Sequence, residues 1–355
     1  KKPLVITCDN WYAAESDRDT FLSITDNKMV TPQYIPTEKE LKNHLPWVPA
    51  SAFKNVHEVA ERLKGVRLQR APMIDVEGDL NKLVAAGVRA RKKQGLKWTP
   101  EYQKRMKYEM EIIHAKDYDS YFIVVADLVT WAKRHMLVGP ARGSSAGSLV
   151  CYLLSITEVD PLAHGLLFER FIDLNRDDLP DIDIDFSDQK RHMVFDYLAK
   201  KYGAPNVARL GNVSNLRARS VMAECGKRLG IPASATFDVR NVLIEHSSGD
   251  ARYGKGLEDT LKLTAPGQKF AEKYPMADCM VAAENHAWHT SVHAAGVVVC
   301  QEPITDFCVV KDGVTEVDKK GAEYLNLLKI DALGLRTLGV IEDAGVMPNE
   351  NYYTL

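Results

Sequence analysis

The sequence predicts an α+β protein of two or three domains, and three observations carry that prediction. The chain has 355 residues, of which 45% are hydrophobic and 26% charged, an ordinary globular composition on a chain too long for one core. Residues 180–186 and 324–331 are apolar, strand-like runs with charges at alternate positions, and residues 294–299 form a continuous apolar run. Between them lie long stretches with helical period.

Composition also excludes. No apolar run approaches the roughly 18 residues of a spanning helix, and Lys1-Lys2 leads into a short apolar segment rather than a signal peptide. Membrane insertion is therefore not expected, and the missing initiator methionine reads as a fragment of a longer protein. Cys8, Cys151, Cys225, Cys279, Cys300 and Cys308 show no C-x-x-C spacing, which fits reduced thiols in a cytoplasmic protein. The formal charge of −2 leaves nucleic-acid binding open, because acidic metal ligands cancel a basic groove in the sum.

Taken in order, residues 4–7 read as a strand and 17–25 as a helix. Thr37-Glu38-Lys39-Glu40 has the form of a helix start, and Val56, Val59, Ala60 and Leu63 follow as an apolar stripe. Helices are expected over 79–94 and 100–115, the second with a basic face at Lys104, Arg105 and Lys107 that reads as solvated. Residues 121–133 read as a helix despite their β-branched content. Leu137-Val138 then leads into Gly139-Pro140-Ala141-Arg142-Gly143-Ser144-Ser145-Ala146-Gly147-Ser148 and an apolar helix over 149–156. A strand, a Gly/Ser loop and a helix present backbone N–H groups and a positive helix end to a phosphate. The loop is no Walker A motif, since no G-K-[ST] ends it, and tight packing of small residues explains it equally well.

A helix over 188–202, a strand over 207–210 and a helix over 215–229 come next. Arg217, Arg219, Lys227 and Arg228 on the last could contact nucleic-acid phosphates or form a solvated face. Residues 257–273 read as helical with a break at Pro266. His286, His289 and His293 have a spacing that invites zinc, but the apolar strand that follows favours a structural role.

The acidic strand is the most informative stretch. Asp181, Asp183 and Asp185 alternate with Ile182 and Ile184, so in an extended chain the three acids share one face. Next neighbours on that face lie about 6.6 Å apart, a span that two hard cations about 4 Å apart bridge. Lys329 and Asp331 share a face of the later strand. If the strands are neighbours, Asp331 joins Asp181 and Asp183 as a third carboxylate, and Lys329 with Arg142 offers positive charge to phosphates. This is the donor set of two-metal nucleotidyl transfer.

The loop at 138–148, Asp160-Pro161, Leu167-Phe168-Glu169-Arg170-Phe171, residues 180–186, His293-Ala294-Ala295-Gly296 and Leu328-Lys329-Ile330-Asp331, followed by Leu333-Gly334-Leu335-Arg336-Thr337-Leu338, occur in that order. The set resembles the C-family of bacterial and phage replicative polymerases, the DNA polymerase III alpha subunits, in their palm and thumb portion. The resemblance implies a polymerase-beta-like nucleotidyltransferase palm with an inserted, mostly helical thumb. It implies two Mg²⁺ ions on Asp181, Asp183 and Asp331, and triphosphate contacts from Arg142, Gly143, Ser144, Arg170 and Lys329. Asp185 has no assigned role.

By the same resemblance, 1–36 is the end of a PHP-like domain, with Asp9-Asn10-Trp11-Tyr12 in place of its usual metal ligands. Residues 37–210 and 284–336 form the palm, 211–283 the thumb, and 337–355 the start of truncated fingers. Primer–template DNA and dNTP are the implied partners, with a sliding clamp and other replisome subunits contacted through regions absent from the chain. Ala141 stands where the family has glycine and is expected to keep φ below zero. A non-catalytic primer–template-binding fragment, a metal-dependent phosphoesterase and a small-substrate nucleotidyltransferase are the competing readings.

Overall fold

Strand pairing brings distant parts of the sequence together in the computed structural model, which describes residues 3–7, 10–25, 33–173, 180–247 and 250–346. Cys8, Asp9, Leu179 and the expected start of the fingers beyond residue 346 lie outside the described residues. Among those described, β1 (Asp183–Ser187), β2 (Val207–Asn215), β3 (Ala287–Val299), β4 (Val310–Lys311), β5 (Val314–Thr315) and β6 (Leu328–Leu335) form one mixed sheet in the order β1-β6-β3-β2-β5-β4. β1 and β6 run parallel, and β3 runs antiparallel to β6. A mixed sheet with many helices agrees with the α+β expectation.

The chain divides into two compact units, Lys1–Arg67 with Val213–His289, and Leu68–Asn212 with Thr290–Leu355. In the second, the helix Asp119–Ala132 buries more than half of its residues, with Tyr121, Phe122, Val124, Val125, Leu128 and Val129 in the core. It packs in one apolar cluster with Ile182, Ile184 and Phe186 of the acidic segment and Leu328, Ile330 and Ala332 of β6. Burying each such side chain contributes about 1.5–3 kcal/mol, so this face anchors the strands and leaves the charged face outward. The first unit has its own helical core, including Leu216, Val221, Met222, Val239, Leu257 and Met280.

Local signals placed many helices. Thr37 and Glu40 form a reciprocal capping box at Glu38–His44. Asp79 caps Leu80–Lys93, and Pro100–Ala115 has the expected limits. The break at Pro266 is real: Gly256–Leu263 and Ala265–Lys273 are separate helices, with proline in the first turn of the second.

Four expectations need correction. Residues 4–7 form no strand, and Leu4 and Val5 are exposed, so no neighbour supplies their ladder. In Ala50–Leu63 the buried residues are Ala52 and Phe53, whereas Val59 and Leu63 face out. The later strand starts at Leu328 rather than Tyr324, because Asp318 caps a short helix, Lys319–Tyr324, and Leu325 and Leu327 are buried outside the ladder. Arg105 is not on a solvated face: it donates to Glu109 Oε1 at 2.6 Å and to the carbonyls of Gly147 and Leu166 at 2.7 and 3.1 Å.

Candidate active site

Asp183 and Asp331 sit opposite each other in the register of β1 and β6. Asp181 precedes β1, its neighbour Ile182 donating its backbone N–H to the buried Tyr121 hydroxyl at 3.1 Å. The three aspartates each offer a carboxylate oxygen, all within 4.8 Å of one another. Lys329 spans two of them, donating to Asp181 Oδ1 at 2.9 Å and to Asp331 Oδ2. Lys319 donates to Asp181 Oδ2 at 3.0 Å. This second lysine went unmarked in the sequence, although Asp318 as a helix cap was a usable signal for where its side chain begins.

The charges are unevenly compensated. Burial pushes the Asp181 carboxyl up, but the hydrogen bonds and charges of Lys329 and Lys319 outweigh it and hold it below the usual range. For Asp183, burial and the adjacent Asp181 and Asp331 charges push the carboxyl up, against weaker help from Lys329 and Arg142. Asp331 Oδ1 is buried without a hydrogen-bond partner. A clustered carboxylate set with one orphaned oxygen fits a hard divalent cation.

Asp185 stands apart from this triad. It pairs with Arg142, Nη1 to Oδ1 at 3.0 Å, and its own backbone carbonyl accepts from Gly139 at 2.7 Å. Val138 bridges Phe186 on the outer edge of β1, so the loop is stitched to the acidic strand from both backbone and side chain. A Cβ at Gly139 would lie 2.8 Å from the Asp185 Cβ, which only glycine avoids. Gly143 has φ +61, and a Cβ there would reach 3.1 Å from Asp183 Oδ2. Ala141 is not among the residues with positive φ, as expected.

The loop region differs from its expected form: Val138 makes an isolated bridge rather than a strand, the following helix ends at Leu153 rather than at residue 156, and the start of that helix is occupied. The helix after it, Leu149–Leu153, has its N-terminus already filled: buried Glu109 accepts from the Leu149 and Val150 N–H groups at 2.9 Å each and from the Ser148 hydroxyl at 2.8 Å. A phosphate therefore cannot use those N–H groups. Exposed Gly143 and Ser144 instead lie in the 3₁₀ turn Gly143–Gly147. Ser144, exposed Arg170, Asp181, Lys319 and Lys329 border one cleft of about 530 Å³, so Arg170 and Lys329 meet Asp181 there, whereas Arg142, Gly143, Asp183 and Asp331 are not among its lining residues.

The basic residues of the helical unit are placed differently. Arg219 and Lys227 are exposed. Arg217 is exposed, yet lies against the Tyr253 ring and donates to Asn285 Oδ1. Arg228 is tucked over Trp288 and pairs with Glu224 at 3.1 Å. His293 Nδ1 accepts the Gly296 N–H at 2.8 Å, a structural use of that ring.

Comparison with known proteins decides the family. The bacterial DNA polymerase III alpha NTPase domain matches residues 78–334. The chain belongs to the DNA polymerase III alpha family. It is 37% identical over 254 residues to the DNA polymerase III subunit alpha of Thermus aquaticus, covering 70% of this chain and 21% of that protein. It is 34% identical over 304 residues to that of Aquifex aeolicus, covering 75% and 26%, and 38% identical over 248 residues to that of Staphylococcus aureus, covering 68% and 23%. The chain thus spans about a fifth to a quarter of the relatives it matches. All three aspartates lie inside the family match. No helix among the described residues is long and apolar enough to cross a membrane.

Proposed function

We propose that this chain is the palm and thumb portion of a template-directed DNA polymerase that adds dNTP to a primer 3′ end. The observation that carries the reading is the Asp183–Asp331 register pair with Asp181 beside it, Asp181 itself lining a cleft with Arg170, Lys319 and Lys329. In this reading Asp181, Asp183 and Asp331 would hold two Mg²⁺ ions, and the bound metal would supply a lowered pKa at the primer hydroxyl and charge neutralisation for the departing pyrophosphate.

The chain's own groups do the positioning. Arg142, Arg170 and Lys329 hold the triphosphate, with Gly143 and Ser144 presenting the turn against it. Asp185 orients Arg142 through their ion pair. The buried face of β1 and β6 keeps the carboxylates where the reacting groups must meet. Residues 37–210 and 284–336 serve as a polymerase-beta-like palm, 211–283 as a thumb whose Arg217, Arg219, Lys227 and Arg228 lie along duplex phosphates, 1–36 as the end of a PHP-like domain and 337–355 as the start of fingers. The setting is a cytoplasmic replisome with a sliding clamp.

Primer extension with Mg²⁺ tests the reading. The expected product depends on both template and dNTP, and Asp183→Asn abolishes it while primer–template binding stays within about threefold. Product that needs no dNTP would point to a phosphoesterase, and duplex binding without extension to a binding fragment.

A further inference from the structure

Lys319 opens the helix Lys319–Tyr324, whose cap Asp318 accepts the Gly321 N–H at 3.0 Å. Its ammonium and that of Lys329 occupy the two oxygens of Asp181, at 3.0 and 2.9 Å. A carboxylate that takes up a divalent cation cannot keep two ammoniums on the same oxygens, because the cation and the lysines repel one another. Lys329 is buried and also bound to Asp331, on a strand fixed by its neighbours. The Lys319 side chain is 49% exposed and borders the cleft together with Ser144 and Arg170. Of the two, Lys319 is the one with room to move.

We propose that Lys319 is a phosphate-binding residue held in reserve: it neutralises Asp181 while the carboxylates are free of metal, and turns into the cleft to hold a nucleotide's polyphosphate once a divalent cation replaces it. The proposal rests on the polymerase reading above. An ammonium on a flexible four-carbon stem suits the task, since it meets phosphate as a point charge without a fixed plane. Removing it has two consequences of opposite sign. Metal loses a competitor at Asp181, and the polyphosphate loses a contact. A merely structural role would weaken both.

The test titrates Mn²⁺ without nucleotide, then dATP at saturating Mn²⁺, on the wild type, Lys319→Met, Lys319→Arg and Asp183→Asn. Lys319→Met is expected to bind Mn²⁺ about three- to fivefold more tightly, the range of a half-exposed ion pair. The same variant should bind dATP about fivefold more weakly, and Lys319→Arg should keep dATP affinity within about twofold of wild type. Any pattern other than opposite changes in Lys319→Met overturns the proposal. A wild type that binds no Mn²⁺, or an Asp183→Asn that binds it equally well, brings down the polymerase reading and this inference with it.

Discussion

Asp183 lies directly opposite Asp331 in the parallel pair of β1 and β6. Adjacent strands run about 4.8 Å apart, closer than two carboxylates choose for themselves. The buried residues behind them, Ile182, Ile184, Ile330 and Ala332, hold the backbones together against that repulsion. Lys329 relieves part of it by donating to Asp331 and Asp181, while among the described residues Asp183 forms no ion pair. The pair is thus held at an electrostatic cost that a bound cation would relieve.

Asp331→Asn should separate those two demands. Removing one charge relieves repulsion, so the metal-free variant is expected to melt at or above the wild-type temperature. Mn²⁺ should raise the melting temperature of the wild type and leave that of the variant unchanged. Primer extension should fall by at least ~10²-fold, the usual consequence of losing charge stabilisation at a reacting centre. A variant that is less stable without metal and still stabilised by Mn²⁺ would contradict the assignment.

Asp185→Asn tests a different relationship. Asp185 meets Arg142 at 3.0 Å, with the carboxylate mostly buried and the guanidinium half-exposed. Losing the charge should loosen Arg142 and raise the KM for dNTP about fivefold, with Mn²⁺ affinity within twofold. A large loss of Mn²⁺ affinity would instead make Asp185 a ligand.

Glu109→Ala should be severely destabilising. The side chain is fully buried and accepts from Arg105, Ser148, Leu149 and Val150. Truncation leaves a cation and two helix N–H groups without their partner, at a cost of about 3–5 kcal/mol. Urea unfolding measures it, and a loss below about 1 kcal/mol would show that water replaces the carboxylate freely.

Acid stability of the helical unit should depend on Asp259. Arg252 and, at 2.8 Å, His246 hydrogen-bond its carboxyl, and the Arg252 bond chiefly holds its pKa below the ordinary 3.8, burial opposing. A lowered carboxylate pKa stabilises the fold above the unfolded value, and that contribution is lost as pH falls through the folded value. Melting temperatures followed from pH 6 to pH 2 should therefore fall more steeply for the wild type than for Asp259→Asn in the acid range, about pH 4 and below. Parallel curves would rule out this role.

Much of the local structure was legible because its causes are local. The Thr37–Glu40 box and the Asp79 cap involve groups three residues apart, and proline at residue 100 sits where its missing N–H costs nothing. Arg105 misled for the opposite reason: its carbonyl partners at 147 and 166 become neighbours only on folding. The run at 324–331 misled because Leu325 and Leu327 are apolar for burial without being in a strand. Apolar character reports burial, and it does not distinguish a ladder from a packed turn.

By itself the sequence determined that Asp183 and Asp185 share a face of β1, since alternation along an extended chain is set by covalent geometry, whereas Asp181, expected on the same strand, precedes it. The sequence also determined that Lys329 and Asp331 point the same way. Tertiary structure decided which of those acids act together. Strand order and register put Asp331, rather than Asp185, beside Asp183, the loop edge claimed Asp185 for Arg142, and a capped helix brought Lys319 to Asp181. These choices depend on contacts between segments far apart in the chain, where no local periodicity carries the information.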